Sequence, residues 1–312
     1  MRTNLQILIQ CVIGLSAIAI NILFPEFTEQ SRYLLLALVI LLIGMPHGAL
    51  DHFIDGSIEK WNPSTFNLKF YGFYILAIAI YSIFWIIFPL FSFLFFLVIT
   101  WYHFGQADAK RFDLSKTNEI IIQFSRGLTV VGLITFGDIE YASQIIESVS
   151  GFSIQTYLVT FIDLEITKWV IASFYPFVYI LVMFNKLSLK TFFVYLLDSF
   201  IVSLLFIYSD PVWAFSIYFG IWHSYNHVLV MLNFLSSENE KKLFGWFYKE
   251  SFIFSLLSYL GLLFIYNLLD AFGNESLMVS LLFVLISVLT LPHMIIVEKM
   301  YARAIKKAIN LR

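Results

Sequence analysis

Apolar residues run along this chain in blocks of helical length separated by short polar stretches, a pattern that predicts ten membrane-spanning helices. They are expected at 5–25, 32–54, 66–88, 90–106, 118–137, 166–185, 189–208, 211–234, 250–268 and 277–299. Lipid offers the backbone no hydrogen-bond partner, so apolar blocks of this length must satisfy themselves as helices. The third and fourth spans follow each other almost without a polar break, and Pro89 supplies the turn between them. The longest connection, 138–165, places Ile139, Ile145, Ile146 and Val149 at helical spacing. A short amphipathic helix lying at the membrane surface is expected there, with an apolar stretch after Gly151.

Between the apolar blocks there is too little polar sequence for a second domain. The expectation is a single integral-membrane domain over 1–312, an all-α polytopic membrane protein with about ten transmembrane helices in one bundle. Composition agrees: only 13% of residues are charged, about half the ~25% of soluble domains. A net charge of -2 argues against a nucleic-acid partner. The single cysteine, Cys11, excludes an intramolecular disulfide and reads as a small packing residue. The first span follows Arg2 but is long and lacks a small-residue cleavage pattern, so a retained helix is expected.

Charge placement fixes an orientation. With both termini cytoplasmic, 16 Lys and Arg residues fall on the cytoplasmic side and two, Arg32 and Lys168, on the other. Arg126 falls inside the fifth span, where it needs a carboxylate, a carbonyl or a lipid phosphate, and structural pairing is the expected role.

The six histidines, His47, His52, His103, His223, His227 and His293, all lie in or at the edge of even-numbered spans. Those spans run in one direction, so sequence position converts to depth. His47, His103, His223, His227 and His293 then share one layer within about 6 Å. Independently packed histidines have no reason to share a depth, whereas ligands of one centre must. His223 and His227 are four residues apart, which on an α-helix presents both imidazoles on one face. Asp51, four residues after His47, is positioned to accept the second ring N–H of His47 or of a neighbouring ligand. His52 points away from Asp51 and ranks below His47. Gln106 and Asp108 are candidate supporting groups for His103, while Asn226 suits a facing helix as well as it suits the site. Pro292 and His293 repeat the Pro-His arrangement of Pro46 and His47, so His293 is either a fifth ligand, a partner for a bound oxygen species or a support for another ligand.

An imidazole site without thiolates suits iron, copper or zinc. No glutamate is placed at the histidine layer to bridge two ions, which favours one metal. A redox metal within lipid implies a lipid-dissolved substrate, and the 35 Phe, 17 Tyr and 7 Trp provide material for an apolar tunnel.

The segments GMPHGALDH at 44–52, WYHFG at 101–105, WHSYNH at 222–227 and LPHM at 291–294 resemble the Brp/Blh family of bacterial and archaeal membrane carotene oxygenases, over nearly the whole chain. The resemblance implies iron-dependent cleavage of beta-carotene at its central 15,15' double bond with O2, giving two all-trans-retinal. It carries the iron ligands onto His47, His103, His223 and His227 and matches His293 to another family histidine; His293 and, by its spacing, Asp51 are the candidate accessory residues, and no protein nucleophile is required. It further implies a multi-pass protein of the cell (inner) membrane with a functional link to a retinal-binding microbial rhodopsin. The residues by themselves leave two other classes open. One is a carotenoid hydroxylase- or desaturase-like oxidase, which predicts two metals. The other is a non-enzymatic carrier of an apolar ligand or a metal.

Overall fold

A computed structural model of the chain describes residues 4–110, 112, 114–153, 163–236, 240–271 and 278–309. Their regular structure is helical throughout. In chain order the elements are α1 (Asn4–Leu23), α2 (Pro25–Val39), a π-helical turn π1 (Ile40–Gly44), α3 (Met45–Gly48), α4 (Asp51–Glu59), α5 (Leu68–Ile87) and α6 (Pro89–Ala109). They continue as α7 (Lys116–Gly137), α8 (Ile139–Ser150), α9 (Leu164–Met183), α10 (Leu189–Tyr208), α11 (Pro211–Ile217), a second π segment π2 (Tyr218–Ser224), α12 (Tyr225–Leu235), α13 (Phe244–Ala271) and α14 (Met278–Ile309).

Each expected span corresponds to one helix or one unbroken helical run except the second, which passes through α2, π1 and α3 and turns at Ala49 and Leu50 into α4. Among the described residues, nine are long and apolar enough to cross a membrane. The run Pro211–Leu235 falls outside those nine because Ser216, His223, Ser224, Asn226 and His227 dilute its apolar content. The chain is therefore an all-α polytopic membrane protein. Leu5, Ile75, Ile86, Phe91 and Phe252 stay exposed on their helices, a cost in water that vanishes against lipid chains.

Several boundaries differ from expectation for local reasons. The second span starts at Pro25 rather than 32, because Pro25 occupies the first helical turn, where a missing N–H costs nothing. Pro89 opens α6 directly after Phe88, as its ring dictates. The surface helix expected from the isoleucine spacing is α8, with Ile139, Ile146 and Val149 on its buried side. The apolar stretch expected after Gly151 continues into 154–162, outside the described residues. Side-chain caps close five other starts: Asn67 for α5, Ser115 for α7, Asp163 for α9, Ser188 for α10 and Asp210 for α11.

The contacts group into two compact units. Unit 1 is 1–40, 100–147 and 153–226; unit 2 is 41–99, 148–152 and 227–312. In unit 1, α1 packs on α10 and α7 on α9, around Ile7, Cys11, Val130, Tyr179, Leu205 and Trp222. Cys11 is a buried packing residue, as its setting suggested. In unit 2, α14 packs against α4 and α5, and α13 against α3, over Leu50, Ile54, Phe247, Met231 and Ile296.

Candidate functional site

All six histidines are buried. In unit 1 the helix pair α6 and α7 sets the position of His103. Gly105 and Gly127 are the contact points, since a Cβ on Gly105 would lie 1.9 Å from the Gln123 carbonyl oxygen and one on Gly127 1.8 Å from that of Trp101. No side chain fits there, so the two backbones touch, and the glycine of the HFG segment is a packing requirement. The ring of His103 lies 4.9 Å from that of His223, centroid to centroid. His103 Nδ1 faces Gln106 Oε1 at 3.3 Å. An amide oxygen only accepts, so Nδ1 carries the proton and Nε2 is the nitrogen able to ligate. Gln106 thus does what its spacing suggested; the side chain of Asp108 lies outside the described residues.

His223 sits within π2, not on an α-helical turn. The Tyr225 N–H bonds back to the Gly220 carbonyl, five residues earlier, which widens the turn. A four-residue step from His223 therefore spans slightly less than a full turn instead of slightly more. A π turn also leaves carbonyls in need of donors. Gln10 of α1 meets that need, donating to the Ile221 carbonyl at 2.8 Å and to Asn226 Oδ1 at 3.0 Å, while Asn226 Nδ2 donates to the Trp222 carbonyl. Asn226 faces α1, which decides between its two open readings. Asp198 of α10 accepts from Trp222 Nε1 at 2.7 Å and pairs with Arg126 Nη2 at 3.5 Å. Arg126 also lies over the rings of Tyr175 and Tyr218. It has the structural pairing expected of it. Phe104 and Phe219 flank His223, with centroids 4.7 and 5.3 Å away.

In unit 2, His47, His227 and His293 form a triangle of imidazoles. Their centroids are 5.4 Å apart for His47 and His227, 5.1 Å for His47 and His293, and 5.4 Å for His227 and His293. His47 follows π1, and its Nδ1 lies 3.2 Å from the Ile43 carbonyl, which again leaves Nε2 as the ligating nitrogen. The expectation that Asp51 could serve His47 depends on an unbroken helix between them. The helix instead breaks at Ala49 and Leu50. Asp51 takes up the other expected role and supports a neighbour: His293 Nδ1 donates to its two oxygens at 2.9 and 3.0 Å. The Tyr74 hydroxyl donates to the same carboxylate at 2.9 Å. His52 packs its ring on Phe53 and Phe254 at 4.5 and 4.9 Å, and among the described residues it makes no ring contact with the three clustered histidines.

In residue type and ring spacing the histidine sets suit a metal ion. An imidazole bound through nitrogen holds its centroid about 3.2 Å from the ion, so two ligands at right-angle to tetrahedral separation have centroids roughly 4.5–5.3 Å apart. The centroid distances within each unit fall at or close to that spacing. Gln10, Tyr74 and Asp198 carry no motif, and sequence reasoning passed over them. Asp198 did offer a signal, being an ionisable residue in the middle of an apolar span.

Comparison with known proteins identifies one family. No curated protein and no solved structure matches the chain. A family model, described as beta-carotene 15,15'-dioxygenase, matches residues 38–301. Because that span includes all six buried histidines and most of the chain, the protein belongs to the beta-carotene 15,15'-dioxygenase family.

Proposed function

We propose that the chain uses O2 to cleave beta-carotene at its central 15,15' double bond, giving two molecules of all-trans-retinal. His47, His103, His223 and His227 are the proposed ligands of one Fe(II). The observation that carries this reading is the burial of five histidines in two sets with ligand spacing, in a chain of this family. Their assignment to one ion follows the family resemblance of the segments that carry them. Bound iron supplies the redox and Lewis-acid chemistry of oxygen activation.

The protein's own part is to hold and to shield. The Gln106 amide and the Ile43 carbonyl fix His103 and His47 with the proton on Nδ1, so that neither ring needs to reorient to ligate. Phe104 and Phe219 offer flat apolar faces beside His223, suited to a polyene and hostile to water. No charged anchor is required by a hydrocarbon substrate, and cleavage at the centre follows from how far the polyene threads past the metal. The bias of basic residues supports a cell-membrane protein with both termini cytoplasmic. A retinal-binding microbial rhodopsin is the proposed consumer of the product.

Expression in a host that accumulates beta-carotene tests the reaction. Retinal should form with iron and O2 present and disappear in the His103→Ala and His227→Ala variants. Folded wild-type protein that yields no retinal rejects central cleavage, and two irons per chain would point to the hydroxylase-like class instead.

A further inference from the structure

Asp51 is 2% exposed, yet among the described residues no guanidinium or ammonium lies within ion-pair distance of it. Its partners are the Tyr74 hydroxyl and the imidazole of His293. Neither partner is a permanent cation, so this buried carboxylate has no fixed positive charge beside it. The same carboxylate holds the proton of His293 on Nδ1, so the lone pair that a metal needs lies on Nε2, on the other side of the ring. That ring stands 5.1 Å from His47 and 5.4 Å from His227, as close to both as they are to each other.

We propose that Tyr74 and Asp51 are positioning residues that orient His293 as a metal ligand alongside His47 and His227, with the Asp51 charge balancing the bound cation. The inference rests on the metal site proposed above and adds to it a fifth imidazole and its support. Three elements cooperate: α4 supplies the carboxylate, α14 the imidazole and α5 the hydroxyl that stops the carboxylate from rotating away. A carboxylate on the far nitrogen raises the basicity of the ligating one and fixes the ring, so its loss weakens metal binding without removing a ligand.

The test is a Co(II) titration of metal-stripped, full-length protein in detergent, followed by visible absorption and checked for folding by thermal unfolding. Wild type should bind Co(II). Asp51→Asn should weaken binding about 10- to 100-fold, and Tyr74→Phe, which keeps the ring and its packing, should weaken it less. His293→Ala should change the absorption bands themselves, because one ligand is lost. Wild-type affinity and bands in folded Asp51→Asn, Tyr74→Phe and His293→Ala overturn the proposal, as expected if an imidazolium–aspartate pair never meets metal. Weakened binding in Asp51→Asn with unaltered bands in His293→Ala overturns the ligand assignment. If the Co(II) pattern holds while no retinal forms, the carotene reading fails and the positioning role is upheld.

Discussion

Each unit holds a buried aspartate that braces its histidine-bearing helices, Asp198 in one and Asp51 in the other, and the two have different partners. In unit 1, Asp198 has a permanent cation, Arg126, and an indole N–H from Trp222. In unit 2, Asp51 has an imidazole and a phenol. A carboxylate paired with a guanidinium is electrostatically complete and can serve only as a brace, here for the helix run that carries His223. A carboxylate paired with an imidazole has a cation beside it only when that ring is protonated or ligates a metal. The contrast teaches that burial of an acid marks structure or site according to whether its partner can itself bind a metal.

The strongest way to break this comparison is Arg126→Met, which strands Asp198 and should cost about 3–5 kcal/mol, read as a fall in the thermal midpoint. The double variant Arg126→Met with Asp198→Asn removes both charges and should recover most of that loss. If it does not, the pair is more than a self-contained brace. Next in size is metal removal. A chelator should lower the midpoint of wild type, and a 100-fold weaker site in Asp51→Asn should forfeit about 2.7 kcal/mol of that metal-linked stabilisation. Asp198→Asn, by contrast, should keep the full metal-dependent shift in midpoint, and its loss would erase the distinction between the two aspartates.

A smaller effect is expected of Gln10→Leu. It leaves the Ile221 carbonyl and Asn226 without their donor at π2, and about 1–3 kcal/mol of stability should go with it. The smallest concerns Lys299 and Asp55, 3.7 Å apart, an exposed ammonium beside a buried carboxylate that also accepts from Trp61 Nε1. Lys299→Met should change stability by less than about 1 kcal/mol and leave metal affinity untouched.

Much of the fold was legible because the bilayer imposes a single rule, that apolar blocks become helices. The ten helical runs, the Pro89 break and the amphipathic α8 all follow from that rule and from local sequence. The candidate ligands were legible for a related reason. Lipid makes polar side chains costly, so six histidines in apolar spans stand out as a set. Support for those ligands was less visible. Gln106 lies within one turn of His103, and its role could be read from spacing; Asp51 lies one turn from His47 by count, but the helix breaks between them. The π turns were invisible too, since hydropathy over five to seven residues does not separate a wide turn from an ordinary one.

By itself, then, the sequence determined which segments are helices, which imidazoles are available and which way the basic residues bias the chain, because each depends on a local pattern read against lipid. Tertiary structure alone decided that Asp51 serves His293, that Asp198 braces Trp222 against Arg126, that Gln10 repairs the π turn and that Gly105 and Gly127 bring two backbones together. Those choices join residues as much as 242 positions apart, and they depend on which donor reaches which acceptor once the helices pack.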